Sequence, residues 1–448
     1  MQLPVDFLDR MKKMLKNNYD EFLNTYNHPH LSALRLNPLK NTSFLKSFID
    51  KRVPWAENGY YFNPDKHQMG KLPYHNMGLY YIQEPSAMIP AEVLDVQPDE
   101  TILDLCASPG GKSTQIALKL NNTGLLISNE IIPKRAMVLK DNIARLGITN
   151  TIVTNEPPQN ISKRFYGYFD KIIVDAPCSG EGMFRKNPEA VNEWSQNNVE
   201  MCAERQLDIL KTIKNCLKNN GIIVYSTCTF SPEENEQVIE RFLLENPEFK
   251  LLDIKNDFFS CGMPSNTINT LEEIEKTIRV FPHITEGEGH FVAKLIKSNN
   301  SDEYSTKLQK SNINKKSLQL WQEFEKKYLT TTLKGTFLQF GENIYIAPQS
   351  TPNLDKLKVV YSGLLLGNIE NNRFNPSHEL ALAITSTQSK TTFELSDQEL
   401  NQYLHGESIV ANINANGWTL LTYQNNPVGW GKTVNGTIKN HYPKYLRT

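Results

Sequence analysis

Ile222-Ile223-Val224-Tyr225-Ser226-Thr227-Cys228-Thr229 is the stretch whose reading decides the fold. Its apolar, β-branched start predicts a strand over Ile222–Ser226 that is buried on both faces. Pro232-Glu233-Glu234-Asn235 follows closely and reads as the start of a helix over 232–245. A cysteine at the carboxyl end of a strand, ahead of a loop and a helix, stands where open α/β sheets place their chemistry.

Working outward, the same strand–loop–helix unit recurs. Thr101–Leu105 reads as a strand with a helix over 112–120, and Leu125–Asn129 as a strand with a helix over 133–146 led by Pro133. Thr151–Thr154 and Lys171–Val174 read as further strands, the latter followed by a long helical region to about residue 219. Thr277–Phe281 and Phe291–Ile296 read as a closing hairpin around Glu286-Gly287-Glu288-Gly289. Strands spaced by helices predict an α/β, Rossmann-like, mostly parallel sheet with helices on both faces.

Residues 1–90 read as a small α+β lead-in. Phe7, Met11, Met14, Leu15, Phe22, Leu23 and Tyr26 predict an amphipathic helix over 3–26, and 41–50 reads as helical. Leu34–Pro38 reads as a short strand, and Arg35 and Lys40 are candidate RNA contacts. Residues 91–297 form the α/β sheet domain. The Asn-, Ser- and Lys-rich stretch 298–317 reads as a linker. Residues 318–448 form a C-terminal α+β domain with a helical start (Leu320, Trp321, Phe324, Tyr328) and strands at Thr336–Phe340, Asn343–Ala347 and Lys358–Tyr361. There is no internal repeat.

A chain of 448 residues is too long for one ordinary core. Its 39% hydrophobic and 22% charged residues are those of a soluble globular protein. No apolar run reaches the ~18–20 residues that span a bilayer. No secretory signal is expected at Met1-Gln2-Leu3-Pro4, so a cytoplasmic protein without membrane contact is expected. Six cysteines without a Cys-x-x-Cys pair speak against a disulfide scaffold and a zinc ribbon, and no metal is expected. The net charge of −1 is unremarkable, but the distribution is not. Lys432, Lys439, Lys444 and Arg447 stand among Trp430, Tyr442 and Tyr445 with no acid in the last twenty residues. That pattern suits phosphate contact with base stacking; a solvated tail is the plainer alternative.

Three stretches carry chemistry. Leu103-Asp104-Leu105-Cys106-Ala107-Ser108-Pro109-Gly110-Gly111-Lys112 is a strand, a Gly-rich turn and a helix start, an arrangement that lets a ligand approach the backbone closely. It nearly matches a P-loop, with Cys106 in place of the first glycine, which leaves nucleotide hydrolysis as a rival reading. Glu130, closing the second strand about twenty residues on, suits the ribose hydroxyls of an adenosine-containing cofactor, and Arg135 is a further candidate contact. Asp175-Ala176-Pro177-Cys178-Ser179-Gly180 follows the fourth strand and Cys228 the fifth, so both loops open at one sheet edge. Two cysteines and an aspartate suit one problem in particular. Carbon 5 of cytosine attacks a methyl donor only after a thiolate has added to carbon 6. Hydrogen bonding or protonation at ring nitrogen 3, from a group such as Asp175, helps that addition. Either cysteine has the spacing to attack.

These motifs resemble the Nol–Nop–Sun family of RNA cytosine-5 methyltransferases. Gln83-Glu84-Pro85-Ser86-Ala87-Met88 and Arg279-Val280-Phe281-Pro282-His283 are similar to family stretches as well, so the resemblance covers roughly residues 30–296. It implies S-adenosyl-L-methionine as cofactor, held by Cys106, Ala107, Ser108, Pro109, Gly110, Gly111, Lys112, Glu130 and Arg135, with Asp175 facing both base and cofactor. It implies Cys228 as nucleophile and Cys178 as the second cysteine, which helps release product. Where the family has an aspartate near the adenine, Asn155 stands here. Gly429-Trp430-Gly431-Lys432 and Lys439-Asn440-His441-Tyr442-Pro443-Lys444 resemble the end of bacterial RsmF-type 16S ribosomal RNA methyltransferases, which carry an extra RNA-binding portion. The expected partner is therefore RNA, ribosomal RNA or the small ribosomal subunit first, acted on by a monomer. The alternatives are a transfer RNA cytosine-5 methyltransferase, a P-loop-like ATPase and a non-catalytic RNA-binding assembly factor.

Overall fold

A computed structural model describes residues 2–298, 307–411 and 413–447. Of the stretch read as a linker, residues 299–306 lie outside the described residues. The helix Lys315–Tyr328 starts inside that stretch, capped by the Asn314 side chain, which accepts from Ser317 N at 2.8 Å.

The lead-in contains a three-stranded antiparallel sheet: β1 (Ala33–Leu36) lies between β2 (Gly59–Tyr61) and β3 (Tyr80–Ile82). The helix predicted over 3–26 is broken. Val5–Leu15 is helical, then Lys16 takes a positive φ of 49° ahead of a short 3-10 turn, and Tyr19–Asn24 resumes the helix. Asn17-Asn18 is a weak helix-forming pair and supplies the break. Only a 3-10 turn, Ser43–Ser47, forms where 41–50 read as helical.

The central sheet has ten strands. They are β4 (Thr101–Asp104), β5 (Leu125–Asn129), β6 (Thr151–Thr154), β7 (Phe169–Asp175), β8 (Leu217–Thr227), β9 (Phe249–Leu252), β10 (Ser260–Cys261), β11 (Ile278–Val280), β12 (His290–Lys297) and, after β13 (Thr336–Phe340) and β14 (Asn343–Ala347) of another sheet, β15 (Val359–Ser362). The order is β10-β11-β12-β8-β7-β4-β5-β6-β15, with β9 also on β12. Strands β4 to β8 are mutually parallel, whereas β12 is antiparallel to β8 and β15 to β6. Residues before Ile222 that read as the end of a helical region are strand, because the long helix Gln196–Ile213 stops earlier.

Successive residues of each strand enter opposite cores. Leu103, Ile127, Ile172, Ile223 and Phe291 pack with Leu207, Leu210, Val238 and Phe242 on one face. Ile102, Leu126, Ile173, Val224 and Val292 pack with Ile116, Leu139 and Ile143 on the other. Each such side chain, fully buried, stabilises the fold by about 1.5–3 kcal/mol before entropy is counted. The C-terminal region is stitched to this sheet, since Tyr361 of β15 lies opposite Val153 of β6. Beyond it come a four-stranded sheet that includes β13 and β14, and a five-stranded sheet that holds Gly417–Tyr423 and Asn426–Val434. No described helix is long and apolar enough to cross a membrane.

Candidate active site

The chain winds from β4 through β5 to β6 in one direction, then crosses to β7 and β8 on the other side. Strand order therefore reverses between β4 and β7, and a crevice opens over their carboxyl ends. The loops after β4, β7 and β8 meet there.

Gly110 takes a φ of 112°, which no ordinary side chain adopts comfortably, and turns the chain into the helix Gly111–Lys119. The first N–H groups of that helix have no partner within it and lie just beyond the carboxyl end of β4. The loop is braced from behind. Arg135 Nη2 donates to Ser108 O at 2.8 Å, Ser108 Oγ donates to Arg135 O at 2.9 Å, and Asn142 Nδ2 donates to Pro109 O at 2.9 Å. Arg35, read from sequence as an RNA contact, is buried instead. It donates to Gly111 O at 2.7 Å, Thr114 Oγ1 at 2.8 Å and Gln83 Oε1 at 2.6 Å, so the lead-in holds the helix start in place. Lys40 is likewise no RNA contact: its ammonium donates to Leu382 O, and burial lowers its pKa to about 8. Both corrections have one cause. The lead-in packs its polar face against the other segments rather than leaving it to solvent.

Lys112 Nζ lies 2.7 Å from Asp175 Oδ2, and Ser226 Oγ donates to Asp175 Oδ1 at 2.8 Å. Burial works against the charges of both groups, but their attraction outweighs it. Lys112 is held above its ordinary range and Asp175 below the ordinary carboxylate range. Asp175 is thus ionised, an acceptor rather than a proton donor. Beneath the pair, Asp104 accepts from Ser113 Oγ at 2.6 Å, and burial raises its pKa to about 7. His290 stands at the start of β12, one residue past the Phe291–Thr227 pairing and so beside Cys228. Ser86 gives its proton to Glu84 and therefore accepts from His290 Nδ1 at 3.0 Å. Burial and the Lys112 ammonium lower the His290 pKa to about 4, so the ring is neutral at pH 7.

The two loop cysteines meet. Cys178 Sγ and Cys228 Sγ are 3.3 Å apart, both as free thiols. The hydrogen bond that the Cys178 thiol makes to Cys228 and burial both raise the Cys178 pKa well above its ordinary value. Cys228 O accepts from Gly182 N at 2.9 Å, and a Cβ on Gly182 would meet Gly289 O at 2.5 Å, so glycine is required where these loops cross. Cys106 is not part of the thiol pair; burial raises its pKa too.

Glu130 is buried at the end of β5. Its Oε1 accepts from Ile132 N at 2.9 Å, and among the described residues Oε2 has only Arg135 at 3.6 Å, which leaves that oxygen for a ligand hydroxyl. Asn155 spends its amide nitrogen on Glu130 O at 2.7 Å and Ile131 O at 2.9 Å, leaving Oδ1 as acceptor. The open helix N-terminus and two spare acceptors fit an adenosine-containing cofactor.

The tail is only partly as read. Trp430 and Tyr442 are core residues, with Trp430 Nε1 donating to Ser377 O at 2.9 Å, so neither ring is free to stack on a base. Tyr445, Lys439, Lys444 and Arg447 remain exposed. Sequence reasoning singled out no role for Ser226, Asp104, Glu234 or His290. The first three lie inside stretches that were read for other reasons; His290 stands just ahead of a predicted strand and had no signal of its own.

Family models match nearly all of this. The model described as 16S rRNA methyltransferase RsmB/F matches residues 91–296. The N-terminal domain of 16S rRNA methyltransferase RsmF matches 3–85, the RsmF rRNA methyltransferase first C-terminal domain 323–384, and the methyltransferase RsmF PUA domain 390–448. Ribosomal RNA small subunit methyltransferase F of Vibrio vulnificus is 31% identical, over 99% of this chain and 97% of its own. The protein of that name from Pectobacterium atrosepticum is 30% identical, over 99% and 96%. Among solved structures, a methyltransferase homolog protein from Pyrococcus horikoshii has a TM-score of 0.58 at 31% identity, covering 65% of this chain and 94% of that one. NSun6 from Pyrococcus horikoshii, solved with SFG, shares the fold with a TM-score of 0.58 at 21% identity, over 66% of this chain and 99% of its own. With a crevice built at the sheet's switch point and relatives matched along their whole length, the chain belongs to the RsmB/F family of methyltransferases, on its RsmF side.

Proposed function

We propose that this protein is an S-adenosylmethionine-dependent methyltransferase that acts on carbon 5 of a cytosine in 16S ribosomal RNA. The observation that carries the chemistry is the pair of thiols, 3.3 Å apart, beside the Lys112–Asp175 ion pair. Methylation of an exocyclic nitrogen or a ribose hydroxyl needs neither thiol. The names of the full-length relatives support the RNA target. Family membership also replaces the reading as a P-loop ATPase, and Lys112 bonds Asp175 in the manner of a site lysine, not of a free phosphate ligand.

Cys106 to Lys112 would hold the cofactor through backbone N–H groups, Glu130 its ribose and Asn155 Oδ1 its adenine amino group. SFG, an S-adenosylmethionine analogue, bound to a neighbour of the same fold, supports this assignment. When bound, S-adenosylmethionine supplies an electrophilic methyl group. Cys228 is the nucleophile. As a thiolate it adds to carbon 6 of a base drawn out of its stack, and the carbon 5–carbon 6 π electrons become available at carbon 5. Asp175, ionised, accepts from the exocyclic amino group, while Lys112 balances its charge. After methyl transfer a base takes the carbon 5 proton, the electrons of that C–H bond re-form the double bond and the carbon 6–sulfur electrons return to Cys228. Cys178, which stays protonated, donates to the departing sulfur and eases that release. Residues 1–90 and 318–448 flank the catalytic segment and grip the RNA backbone, with Lys439, Lys444, Arg447 and Tyr445 as exposed contacts.

The test uses purified protein, tritiated S-adenosylmethionine and unmodified 16S RNA or small subunits. Cys228→Ala loses methyl transfer, and Cys178→Ala accumulates a covalent RNA adduct on denaturing gels. A reversed trapping pattern would exchange the cysteine roles. Transfer without any cysteine dependence would sink the mechanism, and transfer to transfer RNA alone would sink the target.

A further inference from the structure

One buried acid beside the site has no part in the chemistry above. Glu234 lies in the turn after β8, fully shielded from solvent. Its carboxylate accepts three hydrogen bonds: from Ser179 Oγ, from Ser179 N at 2.9 Å and from Gln206 Nε2 at 2.9 Å. Gln206 Nε2 also donates to Pro177 O at 2.9 Å, and the Tyr225 hydroxyl lies 3.0 Å from Gln206 Oε1 and 2.7 Å from Glu234 O. Because Ser179 gives its hydroxyl proton to Glu234, it accepts from Thr229 Oγ1 at 2.9 Å.

These bonds grip Cys178 from both sides, at Pro177 and at Ser179, and reach Thr229 next to Cys228. Nothing covalent joins the two loops; besides the bond from Gly182 N to Cys228 O, this clamp holds the side of the loops that carries Cys178. Three donors converge on one group, and a carboxylate has enough acceptor sites for all of them. A glutamine of the same shape would turn an NH2 group toward a donor.

We propose that Glu234, together with Gln206, is a positioning residue that sets the distance between Cys178 and Cys228, and thereby governs release of the methylated RNA rather than methyl transfer itself. The release clause rests on the function proposed above; the distance clause does not.

The first test needs no RNA. The folded protein is treated with diamide, whose N=N bond takes two electrons and two protons from a thiol pair and becomes a hydrazine as the disulfide forms. Peptide mapping by mass spectrometry follows the Cys178–Cys228 disulfide. Wild type forms it, and Glu234→Gln and Gln206→Ala form it about tenfold more slowly, since a displacement near 1 Å is enough for such losses. Equal rates in folded variants would overturn the proposal. If Glu234→Gln does not fold, Gln206→Ala carries the test. The second test compares single-turnover and steady-state methylation. Glu234→Gln keeps its first turnover within about threefold, loses about tenfold or more in steady state and accumulates the covalent adduct, and adding Cys178→Ala makes it no worse. Loss of the first turnover to the same degree as steady state would overturn it. If wild type itself shows neither methyl transfer nor adduct, the functional reading fails, while the disulfide rates still decide the positioning claim.

Discussion

Lys112→Met removes the ammonium that lies 2.7 Å from Asp175 and keeps most of the buried stem. For a pair sealed from water, stranding one charge costs about 3–5 kcal/mol. Asp175 is 31% exposed and keeps Ser226 Oγ at 2.8 Å, so the lower figure for an unsatisfied group, about 1–3 kcal/mol, applies. The kinetic effect is larger. Without Lys112 burial loses its main counterweight, so the Asp175 pKa rises. Two results follow. The first-turnover rate falls about 10²–10³-fold, the scale for removing one charge-stabilising group from a reacting site. The acid limb of the rate profile also moves upward, because Asp175 now protonates at a higher pH. In wild type its depressed pKa contributes stability that is present above the unfolded value near ~4 and lost as pH falls through the folded value. Rapid-quench methylation across pH 4–8, with calorimetric cofactor binding as a control, measures both. A variant that keeps its first-turnover rate within about threefold, with an unmoved acid limb, would refute the charge-balancing role.

Other outcomes can be checked alongside. Arg279 and Glu236 form a pair with side-chain exposures of 1% and 0%, and Arg279 Nη1 also donates to Phe230 O at 2.9 Å, two residues past Cys228. Arg279→Met should therefore cost about 3–5 kcal/mol in urea unfolding, and Arg279→Met with Glu236→Leu should recover much of it; equal costs would show that the charge left behind is not the cause. Asp104, raised by burial to about 7, holds a proton that the unfolded chain has released from about pH 4 upward, so its contribution to stability falls as pH rises through that window. Asp104→Asn removes that slope, and urea midpoints at pH 5 and 7.5 for both proteins measure it; parallel changes would contradict the burial of a protonated acid.

The sequence by itself determined most strands of the central sheet and brought the two candidate cysteine loops to one edge. Leu125–Asn129 and Thr151–Thr154 carry apolar runs that only strands covered on both faces explain, and the structure has these strands with those bounds. Cys178 and Cys228 follow strands read as parallel, so a shared edge was legible, and the structure makes the two strands neighbours. Local pattern and local chain direction suffice for such features. What only the tertiary structure decided are contacts between residues far apart in the chain. Arg35 reaches Gly111 across 76 positions, Asp175 meets Lys112 across 63, and β15 leaves the C-terminal segment to close the edge of the central sheet. Pro232 to Asn235 read as helix, but the helix begins at Glu236. The side chains of Glu234 and Asn235 brace the cysteine loops instead, Asn235 through Thr229 O at 3.0 Å. Trp430 and Tyr442, aromatic beside basic residues, are equally suited by composition to stack on a base or to fill a core. Burial against Ser377, His378 and Tyr403 settled which. Periodicity records which face of an element is apolar, but not which distant surface covers it, and that covering decides whether a polar or aromatic side chain binds a ligand or holds the fold together.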